Sequence, residues 1–145
     1  MSKAAPKLKV AKAGAASRPG VGTPVVATEE QEMAVLAEYL DHIGVLWCHP
    51  VNEGRRSYYL GKKLKAQGLK SGVPDVLIFE NWHDRKFTYG HGIAIELKSE
   101  RKGAKLSPAQ TNWLQSLASR GWQTTTAKGS RPAIDFVQRW LWRGL

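Results

Sequence analysis

The sequence predicts one α/β domain in which helices flank a mixed central sheet of about four strands. Two apolar runs of strand length, 72–79 and 93–98, are joined by the polar stretch 81–91, which indicates an antiparallel hairpin. A helical stretch at 107–120 then leads to the threonine-rich run 122–127, and a strand–helix–strand order favours a parallel, right-handed connection. Both kinds of strand pairing are therefore expected in one sheet.

The other elements have their own local signals. Thr28 with Gln31 three residues later forms a capping box, apolar residues recur at helical spacing after it, and Gly44 suits the end of the helix. The strand at 45–48 is short and apolar, and we expect Cys48 within it to be buried. The same patterns predict a helix at 57–67 and a last helix at 132–141.

Composition limits the class of protein. The chain has 145 residues, is 42% hydrophobic and has no apolar run long enough to cross a bilayer, so we expect a soluble protein with one main domain. Its 22 Lys and Arg against 12 Asp and Glu give a net charge of +10, which is typical of proteins that bind a polyanion. The single cysteine excludes an intramolecular disulfide and fits a reducing cytoplasm.

The N-terminal segment has a different composition from the rest. Residues 1–27 contain five basic residues and no acidic ones, with many Ala, Gly and Pro, so they cannot bury enough apolar surface to fold alone. We expect a disordered basic arm at 1–27 and a folded domain at 28–145. The arm has two interpretations of equal weight, a non-specific grip on phosphates and a passive tail.

Charged residues interrupt the two apolar runs of the hairpin. Glu96 and Lys98 lie two residues apart on a strand and therefore share one face, while Asp75 opens the preceding strand directly after Pro74. If the strands pair, Asp75 lies beside Glu96, and two carboxylates with one ammonium suit a hard divalent cation and a phosphate ester. The structural alternative is an ion pair between Glu96 and Lys98.

An ordered set of motifs resembles a known nuclease superfamily. Pro74-Asp75 and Glu96-Leu97-Lys98 match the motif of the PD-(D/E)XK nucleases. Gly72-Val73, Leu106 to Gln110 and Trp113-Leu114 add a resemblance to the VRR-NUC family, over about residues 28 to 142. The resemblance implies a restriction-endonuclease-like core and a standalone protein of the phage or prophage type.

The resemblance also implies an activity, which is Mg²⁺- or Mn²⁺-dependent hydrolysis of DNA phosphodiester bonds. It gives the metal to Asp75, Glu96 and the backbone carbonyl of Leu97, and it gives Lys98 the role of orienting water or neutralising developing charge. Gln110 would position Lys98 or the phosphate. The first helix would supply a carboxylate through water; spacing favours Glu30 and leaves Glu29 open. From the residues alone, capping of the helix is the favoured role of both acids.

The DNA-binding surface is predicted from a cluster of basic residues around the second helix. Phosphate contacts are expected from Arg55, Arg56, Lys62, Lys63, Lys65 and Lys70. Tyr58 and Tyr59 between them are expected to pack in the core, with stacking on unpaired bases as the alternative. By resemblance, the substrate is branched DNA such as a Holliday junction, cut by a possible homodimer; the rivals are a nuclease of ordinary duplex or single-stranded ends and a non-catalytic DNA-binding module.

Overall fold

The computed structural model describes residues 25–50, 57–83, 89–100 and 103–141. Residues 1–24 of the predicted arm and the candidate DNA ligands Arg55 and Arg56 lie outside these ranges. The predicted domain boundary at residue 28 therefore stays a prediction.

Four helices form where the sequence places them. Helix α1 spans Glu29–Ile43, begins with the complete capping box of Thr28 and Gln31, and ends at Gly44, whose φ of 71° is left-handed. Helix α3 spans Pro108–Ala118 and begins with a second complete capping box, made by Ser107 and Gln110. The other two helices are α2, Tyr58–Ala66, and α4, Ser130–Leu141.

Four strands form one mixed sheet, as predicted. They are β1 (Trp47–Cys48), β2 (Val76–Ile78), β5 (Gly92–Lys98) and β6 (Trp122–Lys128), in the spatial order β1-β2-β5-β6. The pairs β1/β2 and β2/β5 are antiparallel, and β5/β6 is parallel with α3 as the crossover. Between β2 and β5, the short strands β3 (Trp82–His83) and β4 (Tyr89–Gly90) form a separate antiparallel ribbon.

The hydrophobic core lies between one face of the sheet and the helices α1 and α4. Ile93, Ile95 and Leu97 alternate along β5 and pack in one cluster with side chains of these two helices, such as Leu36 and Val137. Burying each such aliphatic side chain stabilises the fold by about 1.5–3 kcal/mol. Because strand side chains alternate, the intervening residue Glu96 and the strand end Lys98 face the other side, where α3 packs on β5 and β6.

Three residues that were expected to be buried are exposed. Cys48 is exposed, because β1 is a two-residue strand at the edge of the sheet and its second residue faces away from the core. Tyr58 and Tyr59 are also exposed, because none of the nine residues of α2 is buried. No helix in the described part of the chain has both the length and the apolar character needed to span a bilayer.

Candidate active site

The antiparallel pairing of β2 and β5 brings two carboxylates together. Val76 pairs with Ile95, and one further step of the same register places Asp75 opposite Glu96. Directly opposite residues share a face, with Cβ atoms about 4.5–5.5 Å apart. The backbone N–H of Leu97 donates to Asp75 Oδ2 at 2.8 Å, which fixes the Asp75 side chain at the end of β5. The predicted arrangement of these two residues on one face is therefore present.

Glu96 is the most deeply buried charged residue of the site, with an exposed fraction of 1%. Its Oε1 atom accepts hydrogen bonds from Lys98 Nζ at 2.8 Å and from Gln110 Nε2 at 2.5 Å. A buried carboxylate is costly unless it is paired and hydrogen-bonded, and both conditions are met here. Glu96, Lys98 and Gln110 thus form one hydrogen-bonded network, which we call the Glu96 network.

The surroundings of Lys98 act on its pKa in opposite directions. Burial lowers the pKa of Lys98, whereas the hydrogen bond with Glu96 and the charges of Glu96, Glu29 and Asp75 raise it. The net pKa lies above its ordinary value of 10.5. Lys98 is therefore an ammonium group at neutral pH, suited to holding negative charge.

A close approach of two backbones places Gln110 against Glu96. Gly72 has a φ of 80°, and a Cβ atom there would lie 2.5 Å from the carbonyl carbon of Ala109 and 2.7 Å from the N atom of Gln110. The indole of Trp113 donates to the Ser71 carbonyl at 3.1 Å and holds the same approach. The glycine before the Pro74-Asp75 pair thus lets the start of α3 reach the site.

The first turn of α1 supplies two candidate carboxylates with different surroundings. Glu29 Oε1 accepts a hydrogen bond from the Ser99 N–H at 2.8 Å, and its charge acts on Lys98. Glu30, which the spacing favoured, lines the cleft described below, as Glu29 also does, and both residues are exposed. Spacing along α1 could not show that Glu29 contacts Ser99, because this contact depends on where the end of β5 meets the helix.

An open cleft of about 680 Å³ adjoins the carboxylates. Its polar lining includes Glu29, Glu30, Asp75 and Gln110, and its apolar lining includes Met33, Ala37, Trp47 and Val73. His49 lines the same cleft and its Nδ1 atom hydrogen-bonds the Asp75 carbonyl. His49 is not among the predicted site residues, because a single histidine before a loop is more often structural or solvated than a ligand of metal or phosphate.

Comparisons with known proteins identify the family and the fold of the chain. The family model of the VRR-NUC domain matches residues 27–131. The chain belongs to the VRR-NUC family. A solved structure described as a VRR_NUC domain protein superposes with a TM-score of 0.65 at 23% identity, covering 79% of this chain and 88% of that one. A search of curated proteins found no match. The mixed sheet of this chain and its similarity to that solved structure are consistent with the predicted restriction-endonuclease-like fold.

Membership of the VRR-NUC family defines the general character of the domain. It is a nuclease-type domain, and DNA is the partner that such a domain implies. Metal dependence and preference for a DNA structure are finer properties, which depend on the groups present at the site itself.

The donor groups of the VRR-NUC site fit a hard divalent cation. No group of three or more His, Cys, Asp or Glu side chains within the described ranges is arranged to hold a metal by itself. Mg²⁺ normally takes one or two carboxylates and completes its shell with water and substrate phosphate. Asp75 and Glu96 on one face, with the backbone carbonyl of Leu97 between Glu96 and Lys98, meet this smaller requirement.

The described candidates for DNA binding do not line the cleft. Lys62, Lys63 and Lys65 are exposed on α2, and Lys70 is exposed after it, while the cleft lining includes none of the four. No acidic residue occurs between positions 57 and 74. The domain therefore has two distinct polar regions, an acidic site in a cleft and a basic helix beside it in sequence.

Proposed function

We propose that this domain is a Mg²⁺- or Mn²⁺-dependent deoxyribonuclease that cuts branched DNA. The observation that carries the hydrolase part is the Glu96 network: a buried carboxylate facing Asp75 and tied to a charged lysine and a glutamine. A domain that bound DNA through surface charge alone would need no such buried group, since burial costs free energy.

Asp75, Glu96 and the Leu97 carbonyl are the groups that would hold the cation. A bound divalent cation would polarise the scissile phosphate and lower the pKa of a water molecule. Asp75 is prepared for this role by the Leu97 N–H and by the contact of His49 with its backbone carbonyl, which fix both ends of the residue. A carboxylate that is already oriented loses little conformational entropy when it binds a ligand.

The other site residues act on the substrate through charge and orientation. Lys98 presents an ammonium group, which stabilises the negative charge that develops on the phosphate or orients the attacking water. Gln110 holds the Glu96 carboxylate through its Nε2 atom while its Oε1 atom accepts from the Ser107 N–H. Glu29 reaches the end of β5, and Glu30 lines the cleft, so either carboxylate could contact the cation through water.

Selectivity for branched DNA is supported by the basic helix α2, whose exposed lysines do not line the cleft. A duplex segment at the cleft and a second segment at Lys62, Lys63 and Lys65 would contact the domain together, and a branch provides two such segments. Phosphate contacts of this kind position the DNA without reading its sequence. A homodimer would offer two cutting sites to one junction.

The test is a cleavage assay on labelled blunt duplex, splayed-arm, flap and four-way-junction DNA with Mg²⁺, Mn²⁺ or EDTA. We expect cutting with either metal, none in EDTA, and the fastest rate on a branched substrate. Lys98→Ala should reduce the rate by roughly 100-fold or more, as expected for loss of one charge-stabilising group. DNA affinity in EDTA should change little.

Arg139→Ala is the matched control, because it removes one positive charge from an exposed position on α4. This helix packs on the face of the sheet opposite to Glu96 and Lys98. The variant should cut at the wild-type rate. Binding to every DNA without cutting would favour the non-catalytic module, and equal rates on blunt and branched DNA would reject structure selectivity.

A further inference from the structure

The outward face of α2 combines aromatic and basic side chains that the hydrolase site does not use. Tyr58 has an exposed fraction of 87% and Tyr59 of 79%, both extreme values for large aromatic residues in a folded domain. Among the described helices and strands, none packs extensively on α2. We define the outward face of α2 as the exposed residues Tyr58, Tyr59, Lys62, Lys63 and Lys65.

Helical geometry pairs each tyrosine with a lysine. Residues four apart are neighbours on a helix surface, so Tyr58 lies beside Lys62 and Tyr59 lies beside Lys63. Lys65 lies seven residues after Tyr58 and continues the first row. The leucines Leu60 and Leu64 lie on the other side of the helix, and both are less exposed than the tyrosines. An aromatic ring with a cation one turn away therefore occurs twice on the outward side.

We propose that the outward face of α2 binds single-stranded DNA, with Tyr58 and Tyr59 stacking on unpaired bases and the neighbouring lysines holding the flanking phosphates. This proposal rests on the proposed function and names the part of a branched substrate that α2 contacts. Proteins that hold single strands combine stacking aromatic side chains with a positively charged track along the backbone. Paired bases within a duplex do not offer their faces to such rings.

The charge of this face argues against a protein partner or a second copy of the chain. The centre of a protein–protein interface is depleted in lysine, whereas three of the five residues here are lysines. A symmetric dimer through this face would place the same lysines against each other, because a two-fold interface pairs identical patches. A polyanion with unpaired aromatic bases complements both the positive charge of the lysines and the apolar rings of the tyrosines.

The experiment measures binding in EDTA, so that it does not depend on cleavage. Single-stranded DNA carrying 2-aminopurine and a blunt duplex of equal length are titrated with the wild type, Tyr58→Ala, Tyr59→Ala and the two Tyr→Phe variants. We expect each Tyr→Ala change to weaken single-strand binding by roughly 5- to 100-fold and to abolish part of the 2-aminopurine quenching. Duplex affinity should stay within about twofold.

Two comparisons make the result specific. Each Tyr→Phe variant keeps the ring and should bind like the wild type. Leu46→Ala is the control outside α2, because it removes an apolar side chain that is 67% exposed, and it should also bind like the wild type. Light scattering should give the same mass for all variants. Equal losses on duplex and single strand, unchanged quenching, or a lower mass in Tyr58→Ala would overturn the proposal.

The two proposals fail in different ways. If the wild type cuts no DNA with any metal, the hydrolase proposal fails, while the binding measured in EDTA still reports on α2. If the wild type cuts branched DNA and the tyrosine variants bind single strands normally, the single-strand proposal alone fails.

Discussion

The Glu96 network and the outward face of α2 hold their charges under opposite conditions. In the network, a carboxylate with an exposed fraction of 1% accepts from Lys98 and Gln110, and its strand neighbours are aliphatic core residues. On α2, lysines and tyrosines are exposed, and no acidic residue occurs between positions 57 and 74. The charges of the Glu96 network are compensated within the protein, whereas those of the outward face of α2 are exposed to solvent.

Buried and exposed charges contribute differently to the stability of the fold. A buried ionic network is sensitive to every change, since removing one member leaves the others desolvated. Exposed charges contribute little to folding, because water already solvates them. We therefore expect substitutions in the Glu96 network to affect stability and cutting together, and those on α2 to affect DNA binding alone.

The largest effect is expected for Glu96→Gln. This change removes a proposed metal ligand and leaves the Lys98 ammonium without its charged acceptor. We expect the cleavage rate to fall by roughly 100-fold or more and the free energy of unfolding to fall by about 1–3 kcal/mol. Rates on a branched substrate and urea unfolding measure the two effects. Glu38→Gln, at an exposed position of α1, is the control, and near-wild-type cutting by Glu96→Gln would refute the assignment.

The second prediction concerns salt and the α2 lysines. The slope of log affinity against log salt concentration is negative. Each lost phosphate contact reduces its magnitude by about 0.9 on duplex DNA and about 0.7 on single strands. Lys62→Ala combined with Lys63→Ala should therefore reduce the slope by up to about 1.4 on single strands, without loss of thermal stability. Arg131→Ala combined with Arg139→Ala removes equal charge from α4 and should leave the slope unchanged. Equal salt slopes for both double variants would show that α2 is not part of the DNA-binding surface.

The third prediction compares two glycines with left-handed backbones. Gly68 has a φ of 99° and open space where a Cβ atom would lie, whereas at Gly72 a Cβ would overlap Ala109 and Gln110. Both Gly→Ala variants carry the left-handed cost of about 1–2 kcal/mol. Gly72→Ala should lose about 1–3 kcal/mol more through overlap, and it should also slow cutting. Urea unfolding of both variants gives the difference, and equal losses would show that the close approach is not needed.

The smallest effect is expected at Glu32, on the core side of the molecule. Hydrogen bonds from the side chain and backbone of Ser130, at the start of α4, lower the pKa of Glu32 below its ordinary value of 4.5 and outweigh its slight desolvation. A lowered pKa in the folded state stabilises the fold above pH 4.5 and loses this contribution as the pH falls further. Glu32→Gln should lower the free energy of unfolding by about 0.3–1 kcal/mol at pH 7. The difference in this free energy between Glu32→Gln and the wild type should shrink below pH 4.5. A gap independent of pH would contradict this.

Local signals were sufficient for most of the fold. The capping box at Thr28 lies where the sequence placed it, and the helix predicted from residue 107 begins there with a second capping box, because a cap involves residues only three apart. The alternation of β5 placed Glu96 and Lys98 opposite the aliphatic residues without any knowledge of the helices. Asp75 followed from the hairpin alone, since strand pairing fixes which residues face each other.

Contacts between distant segments were decided by the tertiary structure. Glu29 rather than Glu30 reaches Ser99, and His49 reaches the carbonyl of Asp75, although neither contact has a signal in its local sequence. The exposure of Tyr58 and Tyr59 could not be predicted either, because an aromatic residue on a helix is normally buried, and its burial depends on whether another element covers it. The sequence by itself determined the elements and the faces of the strands, since these depend on neighbouring residues; which side chains meet, and which meet water, depended on how the elements pack.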